Sequence, residues 1–302
     1  MKYFNLSFIL AAFAILALLP LQAFAQFRLS VSSGSRDAAV YQNVGEPIVK
    51  MEYKVLYESK YVIDVEKNTI AEGQLLLEIG GSTTKCYNLN MVKRDSISRV
   101  LMAQNAPAKE YEQQYRNYRG GLTWTVFSNF PANQTTTVDE FAGSNMLVTR
   151  CEESMEIPEW KITAETQEVL GYTCTLATTS FKGREWKAWF ALDLPMDAGP
   201  WKLRGLPGLI LKAEDAEQHY CFTATGFEKA KPDEQIYDRI SPKAEKMDRK
   251  KYEGLMEFYT SDMMGFMASV TGQEAAVVVS GSNGPEVVTR KFTTPYNPIE
   301  RK

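Results

Sequence analysis

One histidine, His219, is present in the whole chain, and that count removes much of the usual enzyme chemistry. A multi-histidine zinc or iron site is impossible, and any Ser–His or Cys–His pair would have to use His219. His219 follows the turn Glu214–Gln218 and opens a strand, which reads as a turn histidine rather than a catalytic base. The nucleophile elbow Gly-x-Ser-x-Gly is absent, and Gly281-Ser282-Asn283-Gly284 lacks its strand–serine–helix setting. Carboxylates are the remaining acid–base candidates. Glu152, Glu153, Glu156 and Glu159 fall in a polar connector and read as a solvated face. Asp193 and Asp197 precede Lys202 and Arg204, and an ion pair steadying that loop is the simpler account. Met256, Met263, Met264 and Met267 could offer soft ligands to Cu(I), but they sit mostly on an apolar helical stripe and read as packing. Phosphate-loop, calcium-loop and zinc spacings are missing, so no metal and no cofactor is expected.

The 302 residues carry 34 Lys and Arg against 37 Asp and Glu, a net charge of -3. That balance argues against a nucleic-acid partner, which needs a surplus of cations to neutralise phosphates. Met1–Ala25 reads as a signal peptide: Lys2, the apolar run Phe8–Leu19, Pro20, then the small-x-small site Ala23-Phe24-Ala25. The mature chain then starts at Gln26, is exported (periplasmic first, extracellular second), and has no later run able to span a bilayer. Export makes disulfides among Cys86, Cys151, Cys174 and Cys221 one option and buried free thiols the other.

The elements that must position any site follow from periodicity. Val49, Met51, Tyr53, Val55 and Tyr57 alternate with charged residues, as in a half-buried strand. Further strands are expected at 74–79, 85–90, 123–127, 146–151, 172–179, 185–193, 209–213 and 219–227. Trp186 and Trp189 point to opposite faces, so that strand is expected to be covered on both sides. Ile97, Val100 and Leu101, then Tyr111, Tyr115 and Tyr118, have helical spacing before Gly120-Gly121. Glu228–Lys251 reads as a charged loop, Tyr252–Met267 as an apolar helical face ended by Gly272, and 277–290 as a closing hairpin. Short turns between strands predict an α+β, β-dominated fold: a curved antiparallel sheet or half-barrel with a few packed helices. Residues 26–302 then form a single domain with an excursion at about 228–272.

The most distinctive segment is Gly199–Ile210. Leu206-Pro207-Gly208-Leu209 fits a type II turn, with φ preset by Pro207 and positive at Gly208. Trp201 and Leu203 can anchor the loop, and Leu209–Leu211 enters a buried strand. Gly205–Ile210 spells Gly-Leu-Pro-Gly-Leu-Ile. Gly171-Tyr172-Thr173-Cys174, Phe181-Lys182-Gly183-Arg184, Ala188-Trp189-Phe190, Leu194-Pro195, Pro158-Glu159-Trp160 and Pro295–Glu300 accompany it. The ordered set resembles the GLPGLI family of exported Gram-negative proteins. The resemblance implies an envelope protein and brings no catalytic residues with it. Candidate binding residues are therefore Trp189, Trp201, Arg204, Gly205, Leu206, Pro207 and Gly208. With many aromatics and no assembled catalytic set, the expectation is a noncatalytic binding or envelope-assembly module for a peptide, a lipid-like group or a partner protein. The alternative is a carboxylate-dependent hydrolase acting on envelope material.

Overall fold

The computed structural model describes residues 45–301 apart from 116–117, 119–120, 142–146, 239–243, 273–276, 282–283 and 289–292. The signal-peptide segment lies outside the described residues. Twelve strands form one open sheet in the order β14-β7-β6-β5-β4-β3-β2-β12-β11-β10-β9-β8. These are β2 Tyr53–Asp64, β3 Thr69–Gly80, β4 Thr83–Asn88, β5 Trp124–Ser128, β6 Gln134–Phe141, β7 Leu147–Ser154, β8 Lys161–Val169, β9 Tyr172–Phe181, β10 Arg184–Ala191, β11 Leu209–Asp215, β12 Tyr220–Lys229 and β14 Glu245–Met247. Every pair is antiparallel except β14–β7. The β-dominated, open-sheet architecture expected from the alternation is the one found.

Local sequence explains the connections. The β8–β9 turn Leu170-Gly171 and the β9–β10 turn Lys182-Gly183 both have two residues at positive φ, the geometry that matches strand twist in a two-residue hairpin. Val55, Leu77, Cys86, Val126, Thr137 and Cys151 stand in one register row from β2 to β7. This row defines the inner face, and the main core of Val55, Tyr57, Trp124, Trp186, Phe222 and their neighbours fills it.

The alternating run at 49–57 is two strands, not one. β1 Glu46–Lys50 leaves the large sheet and pairs with β13 Gln235–Asp238. This ribbon lies on the outer face, so close that a Cβ on Gly80 would come within 2.5 Å of the Lys50 carbonyl oxygen. The charged excursion therefore covers the sheet on both sides. β13 serves the outer face, while α3 Arg249–Ser261 and α4 Met263–Thr271 pack Tyr252, Met263, Met264, Phe266 and Met267 against Phe141 on the inner one. The expected single helix breaks at Asp262, whose φ of -152° and ψ of 75° end α3 while its carboxylate caps α4 at Gly265 N. Two other helices, α1 Leu89–Ala103 and α2 Ala108–Tyr115, join β4 to β5. The closing hairpin is present as β15 Val277–Gly281 and β16 Gly284–Val288. No helix among the described residues is long and apolar enough to cross a membrane.

All four cysteines are free thiols, on β4, β7, β9 and β12, and no two of those strands are neighbours. Burial pushes Cys86 up to about 12 and Cys174 to about 11, so both stay protonated and pack as small apolar groups.

The Gly199–Ile210 loop is a plug in the inner core rather than an exposed surface. The Trp201 ring packs 5.5 Å from Trp186, tilted by 33°, and its backbone N–H points at Cys86 Sγ. The type II turn is not formed. The left-handed residues are Trp201 and Gly205, at φ 57° and 93°, and Gly208 is not among them. Gly208 is needed because a Cβ there would run into the Ala191 carbonyl oxygen. Gly208→Ala is expected to cost about 1–3 kcal/mol by urea unfolding, from forced displacement in a packed core. Gly254→Ala, in α3 with open space around it, is expected to gain up to ~1 kcal/mol in the same assay.

Candidate functional site

Of the loop residues singled out in the sequence, Trp189, Trp201, Arg204, Leu206 and Gly208 are buried, and only Gly205 and Pro207 reach solvent. Arg204 holds Asp197 at 3.0 Å, and its carbonyl accepts from Trp160 Nε1 at 2.7 Å. Asp197 also accepts from Gly205 N. The loop ion pair read from sequence is thus present at Asp197, while Asp193 is an exposed turn residue away from it. Trp189 lies under the Lys212 ammonium, 4.4 Å from its ring.

The functional groups that do converge lie where the loop meets the β6–β7 end of the inner face. β7 alternation puts Thr149, Cys151 and Glu153 inward. Lys202, from the loop, is 4 % exposed and contacts Glu153 and, at 2.7 Å, Glu300. Glu300 also meets Arg249 of α3 at 3.0 Å. Lys182 closes the open side, 4.0 Å from Glu153 and 2.5 Å from Glu156. Burial alone would raise the Glu153 carboxyl. The Lys202, Lys182 and Arg249 charges outweigh it and hold Glu153 below the usual carboxylate range. Cys151 beside them is pushed up by burial and by Glu153, so it is a thiol and not a thiolate nucleophile. The Thr137 hydroxyl, directly across from Cys151, is buried without a hydrogen-bond partner among the described residues.

A second carboxyl, Asp139, lies on the same face of β6. Burial pushes it up, against hydrogen bonds from Thr123, Tyr252 and the Glu140 N–H. Tyr252 Oη donates to Asp139 at 2.7 Å, tying α3 to the sheet. Asp139 faces Thr149, four residues along β7 from Glu153. That offset is about 13 Å at ~3.3 Å per residue, too far for the two carboxyls to share one proton-transfer step.

The third polar group is built around Arg184. Its guanidinium, 1 % exposed, binds Asp215 at 2.7 Å, Asn297 Oδ1 at 2.8 Å and the carbonyls of Pro298 and Ile299 at 2.6 and 2.9 Å. Arg301 reaches Glu217 at 2.5 Å and His219 Nδ1 at 3.1 Å. Asp215, Glu217 and His219 are close enough in principle to ligate a metal ion. The two guanidiniums already bind Asp215 Oδ2, Glu217 Oε2 and His219 Nδ1, and they balance the charge of the two carboxylates. The methionines of the α3–α4 stripe pack against one another and Phe141, as the helical spacing implied.

Sequence reasoning named Glu153 but read it as part of a solvated face, and it missed Asp139 and the role of Glu300. The signal for Glu153 was its phase with Thr149 and Cys151, hidden by the polar residues around it. The sequence family described as "N-glycanase peptide, N-terminal domain" matches residues 85–254. The chain belongs to this family. The match runs from β4 into α3 and contains Glu153, Lys182, Lys202 and Arg249. It also spans the whole Pro158–Phe227 block on which the GLPGLI resemblance rested, and it overturns that assignment. The motif misled because Gly199–Ile210 is a way of packing a loop into a curved sheet, and reports on packing rather than activity. The expectation of a noncatalytic envelope module falls with it, since the family is named for a glycan-cleaving hydrolase. Two solved structures of PNGF-II, in space groups P21 and C2, match with TM-scores of 0.48 and identities of 16% and 18%. They cover 70% of this chain, which spans about a third (34%) of theirs. No curated protein matches the sequence.

The raised Asp139 carboxyl sets a sign for pH dependence. Between the ordinary value of ~3.9 and its raised folded value, the folded chain binds the proton more tightly than the unfolded chain. Stability contributed by Asp139 therefore falls as pH rises through that window. Asp139→Asn keeps an acceptor for Tyr252 and removes the titration. Its urea midpoint relative to wild type is expected to climb from pH 4 upward and level off once wild-type Asp139 is ionised. A relative midpoint that falls over this range would show that the carboxylate is held ionised instead.

Proposed function

We propose that the chain acts in the hydrolytic cleavage of N-linked glycans from glycoproteins, with the Glu153–Lys202–Arg249 cluster as its polar centre. The observation that carries this reading is the family match, because the matched segment itself supplies all three residues. The carboxylate-dependent hydrolase weighed in the sequence is the version of the function that it supports.

The chemistry suits a neutral, hydroxyl-rich substrate joined through an amide. An ionised carboxylate accepts hydrogen bonds from sugar hydroxyls and can take a proton from an attacking water. Beyond their bonds to Glu153, Glu300 and Glu253, the Lys202 ammonium and Arg249 guanidinium have further N–H donors to offer a carbonyl or developing oxyanion in a site walled by Cys151 and Thr137, where such donors act strongly. The side of the cluster nearest solvent is that of Glu156 and Lys182, 59% and 17% exposed.

Purified chain is expected to release glycan from an N-glycosylated glycoprotein, read by mass spectrometry of the freed sugar and the remaining protein. Glu153→Gln should lower the rate about 10²-fold or more with the fold retained. Absence of release by the wild-type chain, or an undiminished rate in Glu153→Gln, would overturn the assignment. Export belongs to the same proposal, since Phe8–Leu19 and Ala23-Phe24-Ala25 are suited to secretion and glycoproteins are exported substrates. N-terminal sequencing of envelope-derived protein should then start at Gln26, and a start at Met1 would count against export by this signal.

A further inference from the structure

The two cations of the cluster lie within the family segment, but the carboxylate that joins them does not. Lys202 and Arg249 fall inside residues 85–254, whereas Glu300 arrives from a segment beyond it. Glu300 places one oxygen 2.7 Å from the Lys202 ammonium and 3.0 Å from the Arg249 guanidinium. Lys202 is nine-tenths buried and aimed at that point. We propose that Lys202 and Arg249 form a carboxylate-binding subsite, and that Glu300 is its built-in occupant, exchanging with the carboxylate of an acidic ligand.

The exchange needs only one side chain to move. The backbone on either side of Glu300 is fixed independently: Arg184 grips the Pro298 and Ile299 carbonyls, and Arg301 N donates to the Lys182 carbonyl at 2.9 Å. Glu300 can therefore rotate out while Asn297–Ile299 stay in place. Charge favours replacement rather than simple release. With Glu300 withdrawn, Lys202 keeps Glu153 as its ion-pair partner among the described residues and Arg249 keeps Glu253, 3.1 Å away, leaving an ammonium and a guanidinium facing a gap that one carboxylate fills. Within the proposed function, on which the ligand's identity rests, this names a substrate class: glycans or glycopeptides that carry a carboxylate near the cleaved linkage.

The test uses acetate and no glycan, so its outcome is independent of whether the chain cleaves N-glycans. Full-length Glu300→Ala should melt below wild type, and acetate should restore about half or more of the lost melting temperature where sodium chloride of equal ionic strength does not. Lys202→Met in the same background should abolish the restoration. Should Glu300→Ala not fold, Glu300→Gln serves instead. Its amide cannot neutralise either cation, so carbon-13-labelled acetate should show saturable NMR line broadening with this variant and clearly weaker broadening with wild type at equal concentration. Acetate acting no better than chloride, acting equally without Lys202, or broadening equally with wild type would each overturn the subsite.

Discussion

The structure depends on burying one guanidinium. Arg184 stands at the start of β10 with its charge out of water, and no single partner could compensate that. Asp215 supplies the opposite charge, and the Asn297 carboxamide and two peptide carbonyls take the remaining donors. The Tyr220 ring lies 4.9 Å beneath it, and Tyr220 Oη donates to the Asn297 carbonyl at 2.5 Å. Because the acceptors come from β11 and from Asn297–Ile299, satisfying Arg184 draws the chain's last described residues across the sheet. That path delivers Glu300 to Lys202 and Arg249. The charged cluster is downstream of a desolvation requirement elsewhere in the fold.

Filling the inner face is the second constraint. A twelve-stranded sheet with one concave side must cover it, and this chain uses three different pieces. The Gly199–Ile210 loop drives Trp201, Leu203 and Leu206 into the middle, the α3–α4 pair covers the β6–β7 end, and the tail crosses the rest. Two of the buried polar pairs on this face lie along the seams between these pieces. Glu153 and Lys202 mark the seam between sheet and loop. Asp139 and Tyr252 mark the seam between sheet and helix.

Much of this was legible in the residues, and the parts that were not have physical reasons. Strands with an apolar alternation, such as β2, β10 and β12, could be read because one face is buried. β6, Gln134–Phe141, was missed because four of its six buried positions are polar, Thr135, Thr136, Thr137 and Asp139. β8 was missed because it is an edge strand with most of its residues in solvent. The Gly199–Ile210 loop was recognised as an anchor, yet its exposure was overestimated, since a distinctive motif invites a binding interpretation when packing suffices. Glu153 was set aside as one carboxylate among four in a polar stretch. Only the register of β7 against β6 shows that it turns inward while Glu152 pairs with Arg150 at 2.5 Å on the other side. Pairing across 49 residues, as between Glu153 and Lys202, leaves no local trace.

The reach of the tail also sets a timetable for biosynthesis. Arg184 and Asn297 are 113 residues apart. At about 5–20 residues added per second, the guanidinium is made roughly 6–23 seconds before its carboxamide partner. During that interval the turn at Lys182-Gly183 must stay hydrated, and the neighbouring aromatic layer of Phe181, Trp186 and Tyr220 stays unsealed on the nascent chain. Ribosome speed over the excursion and the closing hairpin therefore governs how long an oily surface is open to wrong partners, and a slow stretch of codons there would lengthen that exposure rather than help the fold.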